Sequence, residues 1–225
     1  MGAPDTVDVE TPAGKGRLVV YVAAEPVALL VLGHGAGGGV ETFDLGALAA
    51  ALPGDGVTVA LYEQPWRVSG RRVAGPPASL DRAWLPALDA ARALADVPLF
   101  VGGRSAGARV ACRTVPPDAR GLVLLSFPLH PPGRPDRSRV DELAATACDA
   151  LVVQGERDPF GGPAELRAAL ESVAQQGHRE VVGVPGTHSF EPRTRAAREA
   201  APGLRAALCG PVRRFLRERL ADAPV

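Results

Sequence analysis

Lysine is nearly missing from this chain of 225 residues: Lys15 is the single one among 25 basic residues. Arginine carries the rest, which reads as the codon composition of a GC-rich, bacterial genome and not as a functional signal. Excess charge is missing too. The 25 basic residues meet 25 acidic ones, the net charge is zero, and no basic stripe of the kind a nucleic-acid binder needs is present. Cysteine is scarce: Cys112, Cys148 and Cys209 are odd in number, far apart and without C-x-x-C spacing. That argues against a disulfide framework and a zinc site and fits a reducing cytoplasm. No apolar run approaches the roughly 18 residues of a membrane span. The start MGAPDTVDVE lacks the basic and apolar regions of a secretory signal. Its short match to an acylation pattern from Gly2 to Thr6 reads as an ordinary terminus.

What is abundant is apolar residue, 46% of the chain, in a length that suits one α/β domain over residues 1–225. Short β-branched runs recur: Arg17–Ala23, Ala28–Gly33, Val57–Tyr62, Pro98–Gly102, Gly121–Phe127, Ala150–Gln154 and Glu180–Val184. Several are continuous and not alternating, as in strands covered on both faces. Helical spacing appears between them over Thr42–Leu52, Ser79–Leu94, Ser138–Ala147, Pro163–Ala174 and Leu204–Leu220. Asp81 is expected in the first turn of its helix, favourable to the dipole. Pro202, Gly203 and Pro211 are expected to break the last stretch. Strand alternating with helix predicts a doubly wound, mostly parallel sheet flanked by helices.

In such a sheet ligands bind beyond the carboxyl ends of the strands. There the run PLFVG is followed by Gly103-Arg104-Ser105-Ala106-Gly107 and then by a helical stretch. This is G-x-S-x-G in the strand–turn–helix setting of a nucleophile elbow, with Ser105 on a tight turn that lifts its hydroxyl above the sheet. Chance would yield about 0.09 such motifs at this glycine and serine content, so position strengthens the match. A serine hydroxyl needs a base and an orienting acid. His34, His130 and His188 follow strands, whereas His178 precedes one. Only His188 both follows Ser105 and the candidate acid, in the chain order serine, acid, histidine, and lies at the carboxyl end of its strand. The acid is expected in Gly155-Glu156-Arg157-Asp158-Pro159. Asp158 is the choice and Glu156 the rival; Asp149 sits at the wrong strand end.

An oxyanion needs backbone donors. Ala106, next to the serine, supplies one. The loop Gly33-His34-Gly35-Ala36-Gly37-Gly38-Gly39 supplies the other, with Ala36 favoured and Gly35 and Gly37 as neighbours. The loop lacks the phasing of a P-loop or dinucleotide site. His34 either orients it or packs against it. Arg104 either reaches an anionic substrate or packs, and His130 either lines the pocket or belongs to a rigid proline loop.

The motifs HGAGG, GRSAG, FPLHPPG, GERDPFG and GTHSF resemble, in order, those of the α/β-hydrolase-like family of the NSL-complex subunit three and testis-expressed relatives. Dienelactone-hydrolase-like enzymes, with cysteine in place of Ser105, are broader kin. The resemblance spans nearly the whole chain. It implies an α/β-hydrolase fold and maps the family's serine, aspartate and histidine onto Ser105, Asp158 and His188. Too few residues separate Phe127 from the next helix for a cap domain, so an open site is expected. The expected activity is a serine hydrolase acting on a small-molecule ester or thioester, carboxylesterase-like, without metal or organic cofactor, nucleic acid or membrane. Its competitors are a scaffold protein with a vestigial triad and an acyltransferase or perhydrolase using the same residues.

Overall fold

The computed structural model describes residues 3–192, 194–195 and 199–222; Gly2 of the acylation-like pattern lies outside them. Eight strands form one sheet: β1 (Asp5–Thr11), β2 (Gly14–Tyr21), β3 (Ala28–Gly33), β4 (Val57–Glu63), β5 (Leu99–Arg104), β6 (Gly121–Leu125), β7 (Ala150–Gly155) and β8 (Arg179–Val184), in the spatial order β1-β2-β4-β3-β5-β6-β7-β8. From β4 to β8 all neighbours are parallel, while β1 and β2 form an antiparallel hairpin against β4.

Among the described residues seven α-helices flank the strands: α1 (Phe43–Ala51), α2 (Pro65–Val68), α3 (Pro77–Arg92), α4 (Ala106–Arg113), α5 (Val140–Ala144), α6 (Pro163–Glu171) and α7 (Ala201–Ala221). They cover both faces. Leu29 and Val31 of β3 join Trp84 and Leu88 of α3 and Val110 of α4 in one core. Leu30 and Leu32 join Leu45 and Leu48 of α1 and Val212 and Phe215 of α7 in the other. Each pleat face of β3 therefore meets apolar side chains, which is why its run is continuous. Among the described residues no helix is long and apolar enough to cross a membrane.

Three local expectations are corrected. The segment expected as an ordinary polar terminus holds β1, an edge strand whose alternation buries Val9 and half-buries Val7, too weak a pattern to stand out from polar neighbours. α3 begins at Pro77, where a missing N–H costs nothing, so Asp81 lies beyond the first turn. Its carboxylate instead accepts two bonds from Arg113, at 2.6 and 2.9 Å. Finally, α7 is unbroken from 201 to 221 although it contains Pro211. An interior proline costs about 3 kcal/mol. Burying Leu208, Cys209, Val212, Phe215 and Leu216, at about 1.5–3 kcal/mol for each large side chain, outweighs it.

Candidate active site

The elbow is built from close backbone contacts. Ser105 has φ 53° and ψ −110°, a conformation that a side chain adopts only when its surroundings enforce it. Its N–H is held by Leu125 O of β6 at 2.9 Å. A Cβ on Gly103 would lie 2.5 Å from Gly33 O, and one on Gly107 2.3 Å from the same oxygen. Both glycines of the motif are therefore required by contact of the turn with β3.

Ser105 follows β5, Asp158 follows β7 and His188 follows β8, and the sheet brings them to one rim. His188 Nε2 is 2.8 Å from Ser105 Oγ, and His188 Nδ1 is 2.8 Å from Asp158 Oδ2. An ionised carboxylate only accepts, so Nδ1 carries the proton and Nε2 presents its lone pair to the serine O–H. The Asp158 side chain is fully buried while that of His188 is 16% exposed, so the imidazole faces the site and the acid lies behind it. Asp158 Oδ1 accepts the Phe160 N–H at 2.9 Å, and Phe160 stacks on His188 with ring centroids 4.1 Å apart. The rival Glu156 is exposed. The His178 backbone N–H donates to Asp149 Oδ1 at 2.9 Å, at the amino ends of β7 and β8 and away from this rim.

Several neighbours escaped the sequence reading. Gln154, fully buried at the end of β7, has its Nε2 within 3.0 Å of Asp158 Oδ2, 2.7 Å of Gly161 O and 3.1 Å of Phe127 O. Two N–H groups serve these three acceptors. Its signal was present: an amide interrupting an apolar run invites the question of its partner. Arg104 does not reach toward solvent. Its Nε lies 3.1 Å from Asp44 Oδ2 of α1, and Nη2 donates to His188 O at 3.0 Å. Burial pushes the Asp44 carboxyl upward, and Arg104 opposes that shift.

The glycine loop is tied down by His34. Gln64 N donates to His34 Nε2 at 3.0 Å, so Nδ1 carries the proton and donates to Gly35 O at 2.7 Å. Burial lowers the His34 pKa, which favours this neutral form. Because C=O and N–H point oppositely across a trans peptide, fixing Gly35 O also aims the Ala36 N–H. Gly35 packs tightly, since a Cβ there would meet Arg104 Nη1 at 2.7 Å, whereas Gly37 has open space around it. Ala36 and Ala106 line one small crevice together with Gln64, Trp66, Leu80 and Val110. His130 lies on the loop after β6. Its ring nitrogens reach Pro131 O and Glu165 Oε1, each at 2.8 Å, and its N–H donates to Phe160 O. The His130 pKa is raised, first by the Pro131 carbonyl and further by Glu165.

Comparison with known proteins agrees with this architecture. The family described as alpha/beta hydrolase domain matches residues 26–212. Among solved structures, XC6422 from Xanthomonas campestris, described as an α/β serine hydrolase without lid, is 21% identical, with a TM-score of 0.73 and 96% of each chain covered. A putative α/β hydrolase from Agrobacterium tumefaciens is 19% identical with a TM-score of 0.72, covering 96% of this chain and 97% of its own. Est1E from Butyrivibrio proteoclasticus is 15% identical with a TM-score of 0.71, covering 96% of this chain and 99% of its own. Matched over most of its length, the chain belongs to the alpha/beta hydrolase domain family.

Proposed function

We propose that the protein is a serine hydrolase acting on carboxylic esters with small or exposed acyl groups. The observation that supports this most is the continuous hydrogen-bond chain Ser105–His188–Asp158. In this reading Ser105 Oγ attacks the acyl carbonyl while His188 Nε2 takes its proton. His188 returns that proton to the departing alkoxide, and Asp158 orients the ring and offsets its charge. The amides of Ala36 and Ala106 hold the oxyanion, with Gly35 and Gly37 keeping side chains out of the loop. Water, deprotonated by His188, then cleaves the acyl–serine bond and releases the acid. This chemistry calls for no metal or organic cofactor.

Two likenesses support an ester substrate and an open site. Est1E has a ferulic acid-bound form, and XC6422 is described as lacking a lid. Within the family, HGAGG and GRSAG favour the relatives of NSL-complex subunit three, and the cysteine usage favours the cytoplasm. The test is covalent labelling by a fluorophosphonate of wild type beside Ser105→Ala, followed by an ester panel graded by acyl length. Stoichiometric labelling that disappears in Ser105→Ala, with a turnover loss on the order of 10⁶, is expected. Equal activity in the two proteins refutes the assignment of Ser105, whereas absence of labelling and of turnover in the wild type favours a scaffold role.

A further inference from the structure

A larger cavity of about 400 Å³ lies beside the crevice at Ala36 and Ala106. Gln64, Trp66 and Leu80 line both, so the two adjoin across these side chains. The topology explains the position. β2 runs antiparallel to β4 with Arg17 opposite Glu63, which carries the β1–β2 hairpin turn to the carboxyl end of β4. Gly14 there approaches Pro65. The volume falls within the roughly 300–1,000 Å³ range of small-molecule sites.

The wall is apolar at Pro65, Trp66, Val68 and Leu80 and includes no acidic residue. It includes two cations, Lys15 and Arg71. Lys15 is already compensated, its ammonium lying 3.3 Å from Asp8 and 3.7 Å from Glu10. Arg71 is exposed and has no ion pair or side-chain hydrogen bond among the described residues. Next to it in the same wall stands Val73, at 79% the most exposed of the large hydrophobic residues described. An apolar cavity rimmed by a bare isopropyl group and an uncompensated guanidinium complements a ligand with an apolar body and an anionic end. A guanidinium binds a carboxylate through paired N–H donors.

We infer that this cavity is the substrate subsite and that it selects esters carrying a carboxylate, with Trp66 against the body of the substituent and Arg71 on the anionic end. The inference rests on the hydrolase reading above and names the substrate class for that site.

Two matched pairs of esters test it, one with the charge in the acyl part and one with it in the alcohol part. They are p-nitrophenyl hydrogen glutarate against p-nitrophenyl pentanoate, and 4-acetoxybenzoate against 4-methylphenyl acetate. In wild type at low salt, kcat/KM for the acidic member of at least one pair should exceed that of its neutral partner by about tenfold. Arg71→Glu should reverse the preference, Arg71→Lys should keep part of it, and 0.5 M salt should shrink it as screening requires. A ratio unchanged in Arg71→Glu, or no acidic preference in either pair, overturns the inference.

A binding arm separates this outcome from failure of the hydrolase reading. Glutarate and benzoate are titrated into Ser105→Ala and followed by tryptophan fluorescence, with Trp66→Phe as the control that removes the signal of the cavity wall and leaves that of buried Trp84. Saturable quenching is expected, lost when Arg71→Glu is added. Ser105-dependent cleavage of the neutral esters without anion preference or quenching sinks the subsite and leaves the hydrolase standing. Arg71-dependent quenching without cleavage of any ester sinks the hydrolase and leaves an anion-binding site.

Discussion

Replacing Arg104 with methionine should destabilise the protein far more than loss of a surface arginine, and in a pH-dependent manner. Arg104 Nε lies 3.1 Å from Asp44 Oδ2, and the Asp44 side chain is fully buried. Methionine fills much of the same volume but leaves the carboxylate without its cation. Breaking a buried pair in this way costs about 3–5 kcal/mol. At about 2–4 °C of Tm per kcal/mol for a chain of this size, Tm should fall by about 10 °C at neutral pH.

Burial already raises the Asp44 pKa and Arg104 restrains it, so in the variant it rises further above its unfolded value. A carboxyl with a raised folded-state pKa is penalised as pH climbs from the unfolded value, about 3.9, through the folded one. The deficit against wild type should therefore be small near pH 4 and grow toward neutrality. Arg104→Met combined with Asp44→Asn should recover at least half of the loss, because the uncompensated charge is gone and an amide oxygen can still accept the Leu45 N–H. The assay is thermal unfolding of wild type, Arg104→Met and the double variant between pH 4.5 and 7.5. A drop under about 2 °C, a deficit independent of pH, or a double variant no more stable than Arg104→Met would refute the reasoning. Both Arg104 variants also lose the bond to His188 O. Their kcat on a neutral ester should fall with little change in KM, and that fall should persist in the double variant.

Gly107→Ala should cost at least about 2 kcal/mol, as overpacking against rigid backbone does, because its Cβ would lie 2.3 Å from Gly33 O. Gly37→Ala, with open space around it, should change stability by no more than about 0.5 kcal/mol; urea unfolding compares them. Gln154→Leu removes the amide beside Asp158 Oδ2, and a reduction in kcat of about tenfold or more, as when an orienting partner is lost, is expected from steady-state kinetics. The raised pKa of His130 means that its charged form stabilises the fold. That contribution is complete below its unfolded value and lost as pH rises through the folded one. His130→Gln should therefore flatten the decline in Tm between pH 6 and pH 9.

Local order dictated what the amino-acid sequence by itself reveals. The continuous run of β5, the glycines at 103 and 107, and Ser105 between them belong to one segment whose backbone demands are written in its own residues. Covered strands and amphipathic helices likewise carry their periodicity in the chain, so the alternation that yields a parallel sheet was legible. The segment 155–159 offers two carboxylates, with Asp158 preferred and Glu156 its rival. The fold chose between them by turning one carboxylate inward to the Phe160 amide and His188 and leaving the other in solvent.

The same limit accounts for the rest. Arg104 bonds to His188, 84 positions away, and Ser105 meets it across 83, separations that no local pattern encodes. The continuity of α7 through Pro211 was decided by five side chains packed onto the sheet, an energy invisible to helix propensity. The cavity beside Trp66 exists because β2 lies antiparallel to β4 and brings the hairpin turn to that rim. Sequence alone determined the elements and the reactive groups at their ends. Strand order and packing decided which of those groups meet, because proximity between distant segments is set by the sum of many small burial and hydrogen-bond terms and by no single motif.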